Sequence, residues 1–546
     1  MSKIKIFGLG GQNENGKNMY IVEVDEDIFV FDAGLKTADD RMLGVDYIIP
    51  NYDYLKENIS KIKGIFITHG HDEHMGAIAD IVIDIPEIKI YATEFTMDII
   101  KSDFEESKIT FNNLIEVTPH KKISFGKHSI FPISLTHSVP DTVGYVLSTE
   151  DGAIVYTGNY VFDSTMRGSY ATDIGKLAYI GKKGVLCLMS ESLYAEKPGW
   201  TSPQHRISKM IRETLSKAEG RVLFNIFQAE LYRVQELFDE VIATDRKLVI
   251  AGAKTETIIK NAIDKKYINF DKRRISNINH VNDERAVVLI SDEREKPYSN
   301  INRIVRGFDK FIKIKEGDTI LFAAPIYEGL EKSATRIFDD ISKIGADLKI
   351  ASDKNYKEHH ASSEDIMLML NLMNPKYFMP VIGEFKSMVA AKEAALKVGI
   401  EDEKIILKLN GQLTIFNNGV FEDSRDKIKV DDILIDGKTV GDVGEVVIKD
   451  REMLSENGVV IINVTLDKSS KKILVGPTVI SKGCVFGKNE DIKEIEKLSK
   501  EAIEESKKPF YIDYAKAKNE IRNKVGKFLY KTTDSKPMVL VVMQEI

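Results

Sequence analysis

The chain has 546 residues, too many for one hydrophobic core, and domain-size scaling predicts about three units. Hydrophobic residues make up 43% and charged residues 29%, and no apolar run approaches the ~18 residues a membrane-spanning helix needs. The net charge of −7 excludes a uniformly basic surface, so any nucleic-acid contact must be a local groove.

Only two cysteines occur, Cys187 and Cys484, far apart and outside any CxxC pattern. That argues against a disulfide framework and a Cys-ligated zinc, and fits a reducing cytoplasm. The N-terminal MSKIKIFGLGG runs into a strand pattern without a signal-peptide h-region, so a cytoplasmic location is expected.

Taken in order, Lys3–Leu9, Met19–Val24 and Ile28–Asp32 read as strands rich in Ile, Val, Phe and Tyr. Gly64–Thr68 (GIFIT) predicts a short buried strand that empties into a histidine-rich loop, followed by a helix over Met75–Ile83 and a strand over Lys89–Thr93. Ser129–Leu135, Val143–Ser148 and Ala153–Thr157 continue the strands, which suggests two sheets with helices outside.

From about Pro203 helices and strands alternate. Arg206–Leu215 and Leu231–Ala243 read as helices; Arg221–Ile226, Lys247–Ala251, Ala286–Ser291, Asp318–Ala324 and Leu348–Ala351 read as strands of an inserted α/β domain. A helix at Glu364–Asn374 and a strand at Tyr377–Val381 look like a return to the first domain. The charged stretch Glu422–Asp431 reads as a linker. Residues 447–546 hold strands and a charged helix, enough for a small α+β domain.

Three of the ten histidines, His69, His71 and His74, fall in THGHDEH. Neutral imidazole is the commonest metal ligand, and zinc needs three or four converging donors. A loop at the end of a buried strand can aim residues i and i+2 at one point, and His137 after ISLT can close the set. His74 can reach a neighbouring point about 3.5–4 Å away, one metal–metal spacing. A solvated loop that merely contains histidines is the bland alternative; the strand–loop–helix order favours metal. Gly11–Lys17 (GQNENGK) mimics a P-loop, but Asn18 replaces its Ser/Thr and MYIVEV reads as a strand where a helix is required, so no nucleotide site is expected.

THGHDEH resembles the HxHxDH signature of the metallo-β-lactamase superfamily, and Asp32 in VFDAG, His137 in THSVPD and the segment TGNYVFD match its other motifs in order. The nearer resemblance is to the ribonuclease J family of the β-CASP branch. GKNMYIVEV, MLGVDYIIP, SESLYAEKPGW, EKSATRIF, GADLKIAS, HHASSED, NPKYFMPVIGE and VGDVGEVVIKDREMLSENGVVIINVTLDK carry it across nearly the whole chain. The fold implied is α/β and α+β multidomain: a metallo-β-lactamase αββα sandwich (1–200 and 357–430) with an inserted β-CASP α/β domain (201–356), a linker (431–446) and a C-terminal α+β domain (447–546) for assembly.

The resemblance also implies a metal centre. His69, His71 and His137 match the ligands of the first metal; Glu73, His74 and Ile382 stand at the second, and Asn159 stands where a bridging aspartate is expected. Glu73 is one methylene longer than aspartate, and the neighbouring Asp72 is the alternative carboxylate for the catalytic role. Asn159 is neutral and Ile382 offers no donor. Since loss of an outer-shell partner alone costs about 10–100-fold, two lost ligands imply a single zinc or manganese and weak turnover.

At the implied phosphate site Ala229 and Glu230 replace a Ser-Asn pair, Arg233 is kept, and Tyr356, Lys357, Glu358, His359 and His360 stand where an HxSGH segment is usual. Glu230 and Glu358 oppose a 5′ phosphate unless Arg233 or Lys357 offsets them. Glu191 in SES matches the β-CASP acidic position and either relays a proton or caps the loop; His360 is the remaining catalytic candidate. The pattern resembles a degenerate branch of the family whose members pair with an active relative. The implied function is a 5′→3′ exoribonuclease, with endonuclease activity as a second mode, and with RNA and another ribonuclease J subunit as partners. The alternative is a non-catalytic partner subunit that binds RNA. A lactamase or lactonase is disfavoured, because the inserted and C-terminal domains have no use there.

Overall fold

The computed structural model describes residues 2–39, 42–227, 230–292, 297–326, 329–352, 356–436, 439–440, 445–485, 489–507 and 511–546. They form two compact units, one of Met1–Asp40 with Asp46–Val440 and one of Arg41–Val45 with Gly441–Ile546. No helix among the described residues is long and apolar enough to cross a membrane.

Period-two alternation builds the sandwich of the first unit. An eight-stranded sheet runs in the order Val420–Lys427, Gln412–Asn417, Lys3–Gly10, Met19–Val24, Asp27–Phe31, Ile62–Phe66, Ile90–Ala92, Leu114–Glu116. A six-stranded sheet runs Tyr377–Val381, Val185–Glu191, Gly152–Tyr156, Val143–Thr149, His128–Ser134, Ile123–Phe125. Alternate residues of each strand point to opposite faces. Ile4, Ile6, Tyr20, Val22, Phe29 and Phe31 therefore meet Tyr145, Leu147, Ile154, Tyr156 and Met379 between the sheets. Phe7, Ile21, Val30 and Ile65 face outward onto helices Ile78–Asp84 and Glu94–Ser107. On the other side Val146, Val155 and Leu188 receive Ile174–Lys183, Ser363–Met373 and Phe385–Lys397. The result is the four-layered αββα sandwich.

The chain leaves the sandwich after Val185–Glu191 and returns as Tyr377–Val381, parallel beside it, with Glu191 opposite Val381. Between them lies a six-stranded, all-parallel sheet in the order Ile275–Ser276, Leu248–Ala251, Val287–Asp292, Val222–Phe227, Thr319–Phe322, Asp347–Ile350. Parallel pairing requires crossover connections and buries both faces. Helices Leu231–Ile242 and Ala253–Asp264 cover one face; Ser299–Val305 and Glu331–Ile344 cover the other. This is the inserted α/β domain. In the second unit Ile473–Lys482, Val459–Leu466 and Met538–Glu545 form a sheet backed by helices Asn489–Glu505 and Tyr514–Thr533.

Three local expectations change. The charged stretch Glu422–Asp431 is not simply a linker: Val420–Lys427 pairs antiparallel with Gln412–Asn417 as an edge strand, where charge keeps the open edge from pairing further. Within the span 431–446 expected as linker, Asp432–Asp436 is also a strand, paired with Tyr47–Pro50. The helix expected over Met75–Ile83 is two, Asp72–Met75 and Ile78–Asp84, because the Ala77 N–H leaves the helical ladder for the Ala33 carbonyl at 2.9 Å.

Arg221 and Asp318 form a fully buried charge pair in the inserted domain. Arg221 donates from Nε to Asp318 at 2.9 Å, and its remaining N–H groups reach the carbonyls of Val281 and Lys313 and the Asn282 side chain. Arg221→Ala leaves the Asp318 carboxylate without its cation, so it should destabilise the inserted domain by about 3–5 kcal/mol; urea unfolding followed by limited proteolysis between residues 201 and 356 checks this.

Candidate metal centre

The centre is built on Asp32. It follows the strand Asp27–Phe31 at a φ of +61°, a conformation aspartate tolerates better than most residues. Its buried carboxylate accepts from the Thr68 N–H at 2.8 Å, the Thr68 hydroxyl at 3.0 Å, the Tyr156 hydroxyl at 2.6 Å and His74 Nδ1 at 2.6 Å. By taking the Thr68 N–H it ends the strand at Phe66, two residues earlier than expected, and swings the following loop inward. Gly34 is required nearby: a Cβ there would stand 1.7 Å from the Glu73 carbonyl.

His69, His71 and His137 are buried and converge. His69 Nε2 and His137 Nε2 each lie 3.2 Å from His71 Nδ1. His137 Nδ1 donates to the His359 carbonyl at 2.8 Å, which fixes the tautomer and leaves Nε2 as a lone pair. One hydrogen on His71 Nδ1 cannot serve two facing Nε2 atoms, so lone pairs meet in a space suited to a cation. Tetrahedral zinc with 2.0–2.1 Å bonds sets its nitrogen donors about 3.3 Å apart, matching the 3.2 Å spacings. The residues fit one metal. They are the only group of three or more His, Cys, Asp or Glu donors with that convergence among the described residues, their ligating atoms within 4.8 Å of one another.

The neighbouring position is different. Asp32 holds the proton of His74 on Nδ1, and His74 Nε2 faces two side-chain amides, Asn159 Nδ2 at 3.1 Å and Asn18 Nδ2 at 3.4 Å. The lone pair that would ligate a cation is thus covered by N–H donors. Asn159 Oδ1 is buried and has no hydrogen-bond partner. Ile382 is buried at φ +54°, strained for a β-branched residue, its N–H donating to the Gly11 carbonyl at 2.9 Å. Glu73 Oε1 lies 3.7 Å from His71 Nδ1, and Asp72 opens the short helix beside it, its carbonyl accepting from Leu35 N–H at 2.9 Å.

Glu191 is fully buried. Oε1 accepts from the Tyr160 and Ala361 N–H groups at 2.6 and 3.1 Å, and Oε2 lies 3.0 Å from His360 Nδ1. Burial pulls the His360 imidazole toward neutrality, but the Glu191, Glu358 and Glu73 carboxylates outweigh it and raise its pKa. His71 and His137 join Glu230, Arg233, Glu358, His359 and His360 around one small pocket. The arginine of this lining is already engaged: Arg233 Nη1 donates to the His205 carbonyl and lies 3.1 Å from Glu236.

Tyr356 and Lys357 do not line this pocket. Tyr356 packs against the core, and the Lys357 ammonium donates to the Pro198 and Trp200 carbonyls and the Ser362 hydroxyl at 3.1, 2.9 and 3.0 Å. That cation braces the loop. Ala229 lies outside the described residues.

Sequence reasoning missed His205. Its Nε2 sits 3.1 Å from Asp163, and its ring is 4.6 Å from the ring of His359, whose pKa burial holds well below the usual imidazole value. A lone histidine in TSPQHRI carries no spacing signal; only Asp163, inside TGNYVFD, hinted at the place. Because His205 holds the outer layer rather than the convergent nitrogens, His69→Ala or His137→Ala should abolish zinc retention through dialysis, while His205→Ala should keep it, as read by elemental analysis.

Comparison with known proteins agrees with this geometry. Family models match residues 13–251 (metallo-beta-lactamase superfamily), 219–341 (ribonuclease J, beta-CASP domain), 354–405 (Zn-dependent metallo-hydrolase RNA specificity domain) and 446–546 (ribonuclease J C-terminal domain). Ribonuclease J 2 of Staphylococcus epidermidis is 33% identical over 551 residues, covering 100% of this chain and 98% of that protein. Ribonuclease J 2 of Staphylococcus aureus is 32% identical over 549 residues with the same coverage. A crystal structure of a protein of unknown function from Enterococcus faecalis shares the fold, with a TM-score of 0.53, 14% identity, and coverage of 76% of this chain and 100% of that one. With a three-histidine centre in an αββα sandwich and full-length identity above 30%, the chain belongs to the ribonuclease J family of metallo-β-lactamase-type nucleases.

Proposed function

We propose that the chain is a cytoplasmic RNA nuclease of low intrinsic turnover that holds one metal, zinc in preference to manganese, through His69, His71 and His137. We further take 5′→3′ exonucleolytic attack, with endonucleolytic cleavage as a second mode, as its reaction. The single observation that carries this is the contrast between the two adjacent positions: three imidazole nitrogens converge at one, and at the other His74 Nε2 is covered by two amides.

When bound, one divalent cation supplies Lewis-acid chemistry that makes water nucleophilic near neutral pH and offsets charge developing on phosphorus. The chain's own residues do the rest. His360, held by Glu191 on Nδ1, is placed to give a proton to the leaving oxygen as the P–O bond breaks. Glu73 and Asp72 are the carboxylates at hand to take the proton of the attacking water. Glu230 and Glu358, lining the pocket with Arg233 already paired, oppose a terminal phosphate there. The inserted domain, 201–356, closes over the sandwich parts 1–200 and 357–430 to hold RNA, and 447–546 serves assembly with a second ribonuclease J subunit.

The covered His74 nitrogen favours one further reading, a non-catalytic subunit that binds RNA and an active partner. Digestion of 5′-monophosphorylated RNA separates the two. We expect slow cleavage by the wild type with one metal equivalent, and a gain of about tenfold or more in Asn159→Asp/Ile382→His as both ligands return. Histidine is commoner than isoleucine at positive φ, so the second change also relieves strain. Fast wild-type cleavage with two tightly held metals would refute the single-metal reading; no cleavage by either protein, with copurification of another ribonuclease J, would establish the subunit reading.

A further inference from the structure

The inserted domain carries a feature that the metal centre leaves unused. On the sheet face packed by helix Ser299–Val305, a cavity of about 560 Å³ lies between that helix, the end of strand Leu248–Ala251 and the segment after the helix. Its walls include Ile250, Ile290, Ile304 and Ile312. Its rim carries two rings that folding leaves in water: Phe308 is 76% exposed and Phe311 is 48% exposed. The size and apolar lining are those of a ligand pocket, and both exposed phenylalanines line that same pocket.

The same segment departs from the chain's acidity. Residues 303–315 hold five cations, Arg303, Arg306, Lys310, Lys313 and Lys315, against one carboxylate, Asp309, in a chain of net charge −7. Asp309 pairs with Arg303 and accepts from the Phe311 and Ile312 N–H groups, each at 2.8 Å, so the loop is held in shape. Arg306, Lys310, Lys313 and Lys315 are exposed, with no ion-pair partner among the described residues. The Lys310 ammonium lies 5.2 Å from the centre of the Phe311 ring.

Exposed rings beside unpaired cations match the chemistry of an unpaired nucleobase and its phosphate, which single-strand binders hold by stacking and charge together. An acidic peptide would use the cations and leave rings and cavity unfilled. A lipid surface would need a broad apolar face rather than a walled cavity. We propose that this segment and cavity form a second single-stranded RNA site, in which Phe308 and Phe311 stack on unpaired bases and Arg306, Lys310, Lys313 and Lys315 neutralise the adjoining phosphates. One end of the cavity reaches the C-terminal ends of Leu248–Ala251 and Val287–Asp292. Glu230 and Ala323 of the catalytic pocket follow parallel neighbours in the same sheet, so both sites open toward one sheet edge.

The inference rests on the reading above only in taking the ligand to be RNA. Fluorescence anisotropy of the full-length protein with labelled, hydrolysis-resistant phosphorothioate RNA tests it, comparing a single strand with a duplex. Phe308→Ala/Phe311→Ala should weaken single-strand binding by about tenfold or more and leave the duplex nearly unchanged. Lys310→Glu/Lys313→Glu should weaken it too and flatten the salt dependence. Both variants should keep the wild-type metal content and thermal transition, showing that the fold persists. Unchanged single-strand affinity in the phenylalanine variant, with cleavage intact, would overturn this site alone. Binding of polyglutamate that is insensitive to the phenylalanines and displaces RNA would also overturn it, in favour of an acidic protein partner. A wild-type protein that binds neither RNA would defeat the ribonuclease reading along with it.

Discussion

The buried carboxylate of Asp32 is the constraint on which the centre depends. A charge removed from water must be satisfied by hydrogen bonds or it destabilises the fold, and Asp32 is met by Thr68, Tyr156 and His74. Those partners come from different strands and loops, so satisfying one group fixes where the histidine-rich loop leaves the sheet. The same bond fixes the His74 tautomer and turns its Nε2 toward Asn18 and Asn159. One carboxylate therefore both aims the loop and sets how the second position is filled.

The two halves of the centre are filled by different chemistry, converging imidazoles on one side and amides around His74 on the other. Removing a cation from a cage of anions leaves buried like charges, which is costly. Here a neutral amide and an apolar side chain occupy the positions implied for a carboxylate and an imidazole, and the amides of Asn18 and Asn159 satisfy the histidine that remains. Ile382 keeps a backbone conformation that suits it poorly. Its N–H and carbonyl are held by Gly11, Tyr20 and Ser192, so the surroundings impose the conformation whatever the side chain.

Much of this was legible in the sequence, for local reasons. The sandwich strands alternate with period two, the central inserted strands are rich in Val, Ile, Leu and Phe, and THGHDEH combines a strand end with ligand spacing. That Asn159 is neutral and Ile382 offers no donor could be read directly from residue type. What was not legible depends on distant contacts. Asn18 looked like a mere break in a P-loop pattern, because nothing local shows that it meets His74 and the Glu73 backbone. Lys357 looked like a phosphate ligand because charge was read without direction; its ammonium turns back onto loop carbonyls. Glu422–Asp431 looked like a linker because an exposed edge strand such as Val420–Lys427 and a linker share the same composition.

The order of strands has a consequence for biogenesis. The N-terminal strand Lys3–Gly10 acquires its outer neighbour from Gln412–Asn417, and Val185–Glu191 acquires its own from Tyr377–Val381. Both sheets thus present open edges on the ribosome until the whole inserted domain has emerged. Contacts of such wide sequence separation form late and slowly, because loop closure must precede their reward. The nascent sandwich is exposed to mispairing throughout that interval, and the inserted domain, whose strands all lie within its own span, can fold first and bring the two severed halves of each sheet within reach.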